Sequence, residues 1–339
     1  MKKYLYIILL SFLLLPTVNA QDLHFSQYYN APILLNPANS GLLQNRDWRA
    51  GLNYRNQGAT IPVPYNTFSF FSDFGLMKNN WENAWLGAGV AVWRDVAGNG
   101  DLALTKVQGN LAGHILTSEK TSFSAGLGLA YNQRSVDFNK LTYDVQWDEF
   151  SFNKNTPNQE TYAVQKTTFI DLNAGVNFSY FNNDNFYAKL SVAASHLNQP
   201  VETFYGQTNK LGLRPILNLD VVYKASDKVM LAPSIYYTRQ KRASALVGGT
   251  SLNINASGDA LTFDANEIIL GVYYRNKDAV IGVAGYKWKQ NRVTFSYDHT
   301  ISQLSVGNNG VGAMEISLIV QGNYKKGGES TRQYGCPRF

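Results

Sequence analysis

The chain has 339 residues, 45% hydrophobic and 13% aromatic, with only 16% charged, against the roughly 25% usual in soluble domains. The formal charge of +6 is spread along the chain with no Lys/Arg run, which argues against a nucleic-acid partner. The single cysteine, Cys336, excludes an internal disulfide and a Cys-based zinc site.

The first twenty residues have the layout of an export signal. Lys2 and Lys3 are positive, Tyr4 to Leu15 is apolar apart from Ser11, and Val18-Asn19-Ala20 is a small-residue cleavage site. Cleavage is expected between Ala20 and Gln21, leaving 28 basic against 24 acidic residues, a charge of +4. The apolar run is shorter than the ~20 residues of a helical span. No cysteine follows the site, so no lipid anchor is expected.

Residues 21–46 hold Phe25, Tyr28, Tyr29, Ile33, Leu34, Leu35 and Leu42, too apolar for a free tail. Pro32 and Pro37 oppose an extra strand. The segment is expected as a plug or lid in the barrel or across its periplasmic mouth. Phe25, Tyr28 and Leu35 should be buried, with the segment on the periplasmic side and a Ser26→Cys variant shielded from external labelling.

From residue 47 to 324 the pattern alternates with period two, as in a strand whose side chains face opposite sides. Trp48, Ala50, Leu52 and Tyr54 alternate with Arg49, Gly51, Asn53 and Arg55. Phe123 to Tyr131 and Ile170 to Tyr180 repeat the pattern. About fourteen strands begin near Asp47, Asn66, Trp85, Asp101, Thr121, Thr168, Asn185, Leu211, Lys228, Ser244, Ala265, Ala279, Arg292 and Ala313. Runs of about ten residues suit tilted bilayer-crossing strands. The fold class expected is all-β, a transmembrane antiparallel barrel with an N-terminal plug. Lys106 and Gln108 share a face with Leu102 and Leu104, which predicts a bulge or register change there. In the strand from Asn185, Phe186, Ala188, Leu190, Val192 and Ala194 should meet lipid, while Tyr187, Lys189, Ser191 and Ser195 face inward. Ser191→Arg should then cost much less than Leu190→Arg if the lumen has room.

The links Leu116–Lys120, Asn182–Asn185, Ala225–Lys228 and Lys289–Asn291 are short and follow even-numbered strands. Most long links follow odd-numbered strands, although Val96–Gly100 and Asn276–Asp278 are short. Such barrels keep short turns in the periplasm. An outer-membrane location is expected, with both termini, including a tail at 325–339, in the periplasm.

The chemistry-bearing residues are sparse. His24, His114, His196 and His299 lack metal-ligand spacing. Asp298 and His299 are strand neighbours that face opposite sides, so they do not form a triad with Ser296. Gly87-Ala88-Gly89 and Gly126-Leu127-Gly128 open no helix, and close packing on one barrel face explains them better than phosphate binding. Asp144, Asp148 and Glu149 lack the dense spacing of a calcium loop. No enzymatic activity and no cofactor are expected. The longest loop, Ser135 to Thr167, carries Tyr143, Asp144, Gln146, Trp147, Phe150, Phe152 and Tyr162. Its aromatics suit either a protein-contact surface or a loop packed on itself.

An ordered series of motifs resembles the PorP/SprF membrane proteins of the type IX secretion system. It opens with Gln27-Tyr28-Tyr29-Asn30 and Leu35-Asn36-Pro37-Ala38-Asn39-Ser40-Gly41. It continues through Leu141 to Asp148, Ser195 to Pro200, Tyr297 to Ser302 and Gly312 to Leu318, and ends at Cys336-Pro337-Arg338-Phe339. Asn39-Ser40 departs from the pattern, where an aromatic and alanine are more usual. The resemblance implies an outer-membrane barrel that helps to export and surface-anchor large secreted proteins, including gliding adhesins, through their C-terminal domain. The partners implied are that cargo domain, the type IX machinery and outer-membrane lipid. The competing expectation is a transporter for small apolar solutes, since fourteen-stranded barrels with an N-terminal plug have that role.

Overall fold

The computed structural model describes residues 25–324 except 44, 61–63, 154, 158, 160–164, 183–184, 205–206 and 258–263. The expected signal cleavage site at Ala20 and Gln21, His24, Tyr162, Cys336 and the tail at 325–339 lie outside the described residues.

Fourteen antiparallel strands form one closed barrel. They are β1 (Trp48–Gln57), β2 (Tyr65–Leu76), β3 (Ala84–Ala97), β4 (Leu102–Ser118), β5 (Thr121–Ser135), β6 (Lys166–Asn182) and β7 (Phe186–Ser195). The second half comprises β8 (Arg214–Ser226), β9 (Val229–Gln240), β10 (Ala243–Asn255), β11 (Glu267–Arg275), β12 (Ala279–Trp288), β13 (Asn291–Thr300) and β14 (Val311–Gly322). Each strand pairs with its sequence neighbours, and β1 closes on β14 from Trp48↔Gly322 to Gln57↔Ala313. Closure leaves no free edge, so the backbone groups of the wall are satisfied in a medium without water. No helix among the described residues is long and apolar enough to cross a membrane.

Alternation decides which residues face out. Leu111, Leu127, Leu129, Ile170 and Val272 stand exposed on the outer face, while Asn110, Asn132, Asp171, Asn173 and Asn177 are buried on the inner one. β7 follows the expected facing: Leu190 and Val192 are exposed, and Tyr187, Ser191 and Ser195 are buried.

The bulge expected near Lys106 is absent. Both ladders of β4 run unbroken from Ala103 to Ile115. The pattern looks irregular because Lys106 is an inward cation with its own inward partner. Its Nζ lies 3.3 Å from Asp171 on β6 and 4.6 Å from the Trp93 ring centroid. Interrupted ladders occur elsewhere, at Leu116/Ser118, Lys224/Ser226 and Tyr297/His299.

The two barrel ends differ broadly as expected. One has the tight links 119–120, 227–228 and 289–290, and the other has the long links 136–165 and 196–213. The link 256–266 departs from the trend on the short-turn end, as does 241–242 on the long-loop end.

Candidate functional site

Residues 25–43 pass through the lumen. Three short helical turns, Tyr28–Asn30, Pro32–Leu35 and Pro37–Asn39, build this segment. Pro32 and Pro37 each start a turn, where a missing N–H costs nothing. Asn36 caps the third, its Oδ1 accepting the Ala38 N–H at 2.8 Å. The segment is the plug that composition suggested: Phe25 and Tyr28 are buried, and Leu35 is half-buried against the cluster around Tyr28.

The plug divides its apolar side chains between two walls. Tyr28 packs with Ile216, Tyr236, Val247, Tyr273, Ile281 and Val283, and stacks on Tyr236 with ring centroids 5.0 Å apart. Phe25, Ala31 and Ile33 pack with Phe71, Ala91 and Ile319.

Polar groups of the wall meet many of the plug's hydrogen-bonding groups. Asn36 Nδ2 donates to Asn177 Oδ1 at 2.9 Å and to Ser191 Oγ at 2.8 Å. Gln27 Nε2 donates to Ser296 Oγ at 3.1 Å, and Tyr28 Oη meets Ser234 Oγ at 2.6 Å. The Gly41 N–H donates to Asp73 at 2.9 Å, and the Gly41 carbonyl accepts from Trp85 Nε1 at 3.0 Å. His114 Nε2 lies 2.9 Å from the Ser40 carbonyl, and its Nδ1 lies 2.8 Å from Ser124 Oγ. A carbonyl only accepts, so Nε2 carries the proton and Nδ1 accepts from the serine. His114 is therefore a structural histidine, stacked on Trp85 with centroids 4.8 Å apart.

Both glycine pairs lie where the plug touches the wall. A Cβ on Gly87 would stand 1.8 Å from the Ser40 carbonyl oxygen, and one on Gly126 would stand 2.5 Å from the Ala38 nitrogen. Gly175 is in the same position against Asn36 Oδ1, at 2.1 Å. The close packing expected of these glycines is thus packing against the plug, with Gly128 also meeting Asn110 of the wall. At Gly41, φ is +71°, a conformation that costs glycine little, and the chain there turns against Gly87 and Phe74.

One expectation needs correction. The plug does not stay at the short-turn end, expected to be periplasmic. It leaves β1 there but reaches the long-loop end, with Ser26 among Arg55, Arg275, Asp298 and Glu315. Arg55 and Asp298 lie two residues from the long-loop ends of their strands, and Arg275 is the last residue of β11. Glu315 accepts the backbone N–H groups of Ser26 at 2.6 Å and Gln27 at 2.9 Å. Asp298 accepts from Ser26 Oγ at 2.6 Å and from Arg275 Nη2 at 2.9 Å. Arg55 pairs with Glu315 and, at 3.4 Å, with Asp298. Two guanidinium groups balance two carboxylates, so this buried cluster carries no uncompensated charge. Glu315 on the backbone of Ser26 and Gln27, with Asp298 on the Ser26 hydroxyl, holds this end of the plug near the long-loop end. Ser26 is buried, so a cysteine there is shielded from label whichever side the plug approaches.

The condition for a cheap Ser191→Arg substitution also fails. Asn36 fills the space before Ser191, which leaves no room for a guanidinium.

Asp298 is buried in the lumen while His299 is exposed outside, as the alternation requires. Ser296 serves the plug through Gln27. Among the described residues, no group of three His, Cys, Asp or Glu side chains is placed to hold a metal ion.

The long loop both packs on itself and exposes aromatics. Gln146 is buried, its Oε1 accepting the Tyr143 N–H at 3.1 Å and its Nε2 donating to the Thr156 carbonyl at 3.0 Å. Gln146 thus shapes the loop and offers no contact surface, and Tyr143 is half-buried with its hydroxyl on the Phe138 carbonyl at 3.2 Å. Trp147–Asp148 pairs with Ser151–Phe152 in a small hairpin. Its tip residue Phe150 is 90% exposed, so Trp147, Phe150 and Phe152 form the outward apolar face, beside exposed Asp144. The neighbouring link is clamped to β6: the Leu172 N–H donates to Asn198 Oδ1 at 3.1 Å, and Asn198 Nδ2 donates to the Ile170 carbonyl at 2.8 Å.

A closed antiparallel barrel with an apolar outer belt and a polar, filled lumen defines an outer-membrane β-barrel protein. Solved structures share the fold. The Ralstonia pickettii toluene transporter TbuX matches with a TM-score of 0.53 at 10% identity, covering 87% of this chain and 94% of that one. A Pseudomonas aeruginosa FadL homologue gives 0.52 at 10%, covering 86% and 93%. The Pseudomonas putida toluene transporter TodX gives 0.51 at 11%, covering 87% and 94%. At such identities the likeness is one of fold alone. No curated protein matches the chain. The family model of the type IX secretion system membrane protein PorP/SprF matches residues 17–320, and the chain belongs to that family.

Proposed function

We propose that this barrel helps to export and surface-anchor large secreted proteins by holding their C-terminal domain, with its short-turn end toward the periplasmic export machinery. Gliding adhesins are one class of cargo that the family suggests. The observation that carries the reading is the filled lumen. A plug held by hydrogen bonds along the barrel from Gly41 to Ser26 leaves no conduit for a folded protein. Even without the plug, a lumen of fourteen strands is narrower than the solute-sized channels of sixteen-stranded porins, too narrow for a large folded protein. The cargo therefore crosses elsewhere, and this protein receives it. The exposed Trp147, Phe150 and Phe152, with the adjoining link at 196–213, offer the surface for that contact. In this reading the long-loop end faces outward and β14 ends on the periplasmic side, while the N-terminal end of the plug reaches the outer end of the lumen.

The structural neighbours favour a second reading, transport of small apolar solutes, since they include toluene transporters. Affinity purification from native membranes separates the two. A large secreted protein with a C-terminal domain shared among type IX cargo supports anchoring. A co-purified hydrocarbon or fatty acid, with no such protein, supports transport.

A further inference from the structure

Near the short-turn end, one inward-facing row crosses adjacent strands. Glu267 on β11 is paired across the ladder with Lys287 on β12, and Lys287 with Arg292 on β13. On the other side of β14, Arg49 on β1 is opposite Asp73 on β2. The carboxylates form ion pairs on the flanks: Lys287 pairs with Glu267, and Arg49 with Asp73 at 2.9 Å.

Arg292 stands between them. Among the described residues its one hydrogen bond runs from Nη2 to Asn30 Oδ1 at 2.7 Å. A guanidinium has five N–H donors in a planar fork, so most of its capacity is unused. Its ladder neighbour Lys287 is a like charge and Arg49 repels it, while Glu267 attracts it. Like charges directly opposite each other destabilise a sheet. Arg292, Lys287 and Arg49 are all half-buried and each stands one residue from the short-turn end of its strand.

We propose that Arg292, flanked by Lys287 and Arg49, binds a compact oxyanion of the phosphate or carboxylate class. The side chain points into the lumen, away from lipid, so the anion comes from the aqueous compartment at the short-turn mouth. An oxyanion there would take the free edge of the guanidinium in a bidentate, charge-assisted contact and relieve the repulsion along the row. The site lies on the wall opposite the plug's carboxamide of Asn30, which couples anion occupancy to plug position.

The test is isothermal titration of the purified, detergent-solubilised protein with inorganic phosphate, and separately with succinate, at constant ionic strength set by chloride. Saturable binding of at least one anion is expected. Arg292→Gln keeps a donor for Asn30 but loses the charge, and should bind about tenfold more weakly or worse. Arg292→Lys keeps the charge and loses the fork, and should fall between. If the Gln variant fails to insert, the Lys variant carries the test. No saturable heat with either anion, or unchanged affinity in the variant tested, overturns the proposal.

Discussion

Glu315, on the last barrel strand, accepts the backbone N–H of Ser26 at 2.6 Å across 289 residues of sequence. The same carboxylate takes the next N–H, of Gln27, at 2.9 Å. Two adjacent backbone donors on one carboxylate make a directional anchor that ordinary side-chain packing does not supply. It ties the far end of the plug to the seam where β14 closes on β1.

Removing that anchor should free the upper plug without unfolding the wall. Glu315→Ala leaves two buried backbone donors without an acceptor and Arg55 with Asp298 as its remaining carboxylate, a loss of about 3–5 kcal/mol for a broken buried pair. Chymotrypsin should then cut at Tyr28 or Tyr29 in the inserted, detergent-purified protein, where the wild type resists. Equal resistance would show that Glu315 does not hold the plug.

The inner glycines should behave differently from the outer ones. Gly87→Ala and Gly126→Ala drive a methyl into the plug backbone, and overpacking of this kind costs about 1–3 kcal/mol. The expected result is a displaced plug and raised ion conductance in planar bilayers. A Cβ on Gly109 or Gly113, on the outer face of β4, meets nothing within 4 Å. Alanine there should change stability by no more than about 0.5 kcal/mol and leave conductance unchanged. Identical conductance in all four variants would contradict the plug contacts.

On β7, Leu190→Arg and Ser191→Arg should both be costly but fail differently. Arginine at an outward position costs about 2–4 kcal/mol near the bilayer midplane and lowers insertion into lipid vesicles. Ser191→Arg should insert and expel the plug, because Asn36 occupies the space it needs. Normal insertion of Leu190→Arg, or a chymotrypsin-resistant plug in Ser191→Arg, would be inconsistent with this facing.

Much of this architecture was legible in the residue order. Period-two alternation is a local consequence of strand geometry, so all fourteen strands lie close to their expected starts. The apolar content of residues 25–42 also announced a buried segment. What alternation does not carry is the pairing of groups far apart in the chain. Lys106 breaks its strand's pattern because Asp171 stands on a wall 65 residues away. The reach of the plug depends on Asp298 and Glu315, which the motifs marked but whose role no local pattern reveals. Gly87 and Gly126 read as wall packing, since nothing nearby in sequence says that another backbone lies against them. Gln146 sat among exposed loop residues and gave no sign that its amide folds back on the loop.

The apolar hairpin tip should matter for partners and not for the barrel. Replacing Tyr143 to Phe152 with a short Gly/Ser linker should lower retention of secreted protein at the cell surface, read by flow cytometry with antibody to the cargo. Barrel abundance in the membrane should not change. Phe150→Ser alone should give a smaller loss in the same direction, because Phe150 is 90% exposed and supports nothing beneath it. Unaltered retention in the linker variant would remove this loop from the contact.

The most direct test of the anchoring role is quantitative proteomics of the cell surface and medium in a strain lacking the gene, with uptake of an apolar nutrient measured in the same cells. The account predicts that one or a few large secreted proteins are trapped in the cell or degraded, while other type IX cargo still exits and uptake is normal. Normal display of every type IX cargo, together with failure to take up the apolar nutrient, would contradict it and leave the transporter reading in its place.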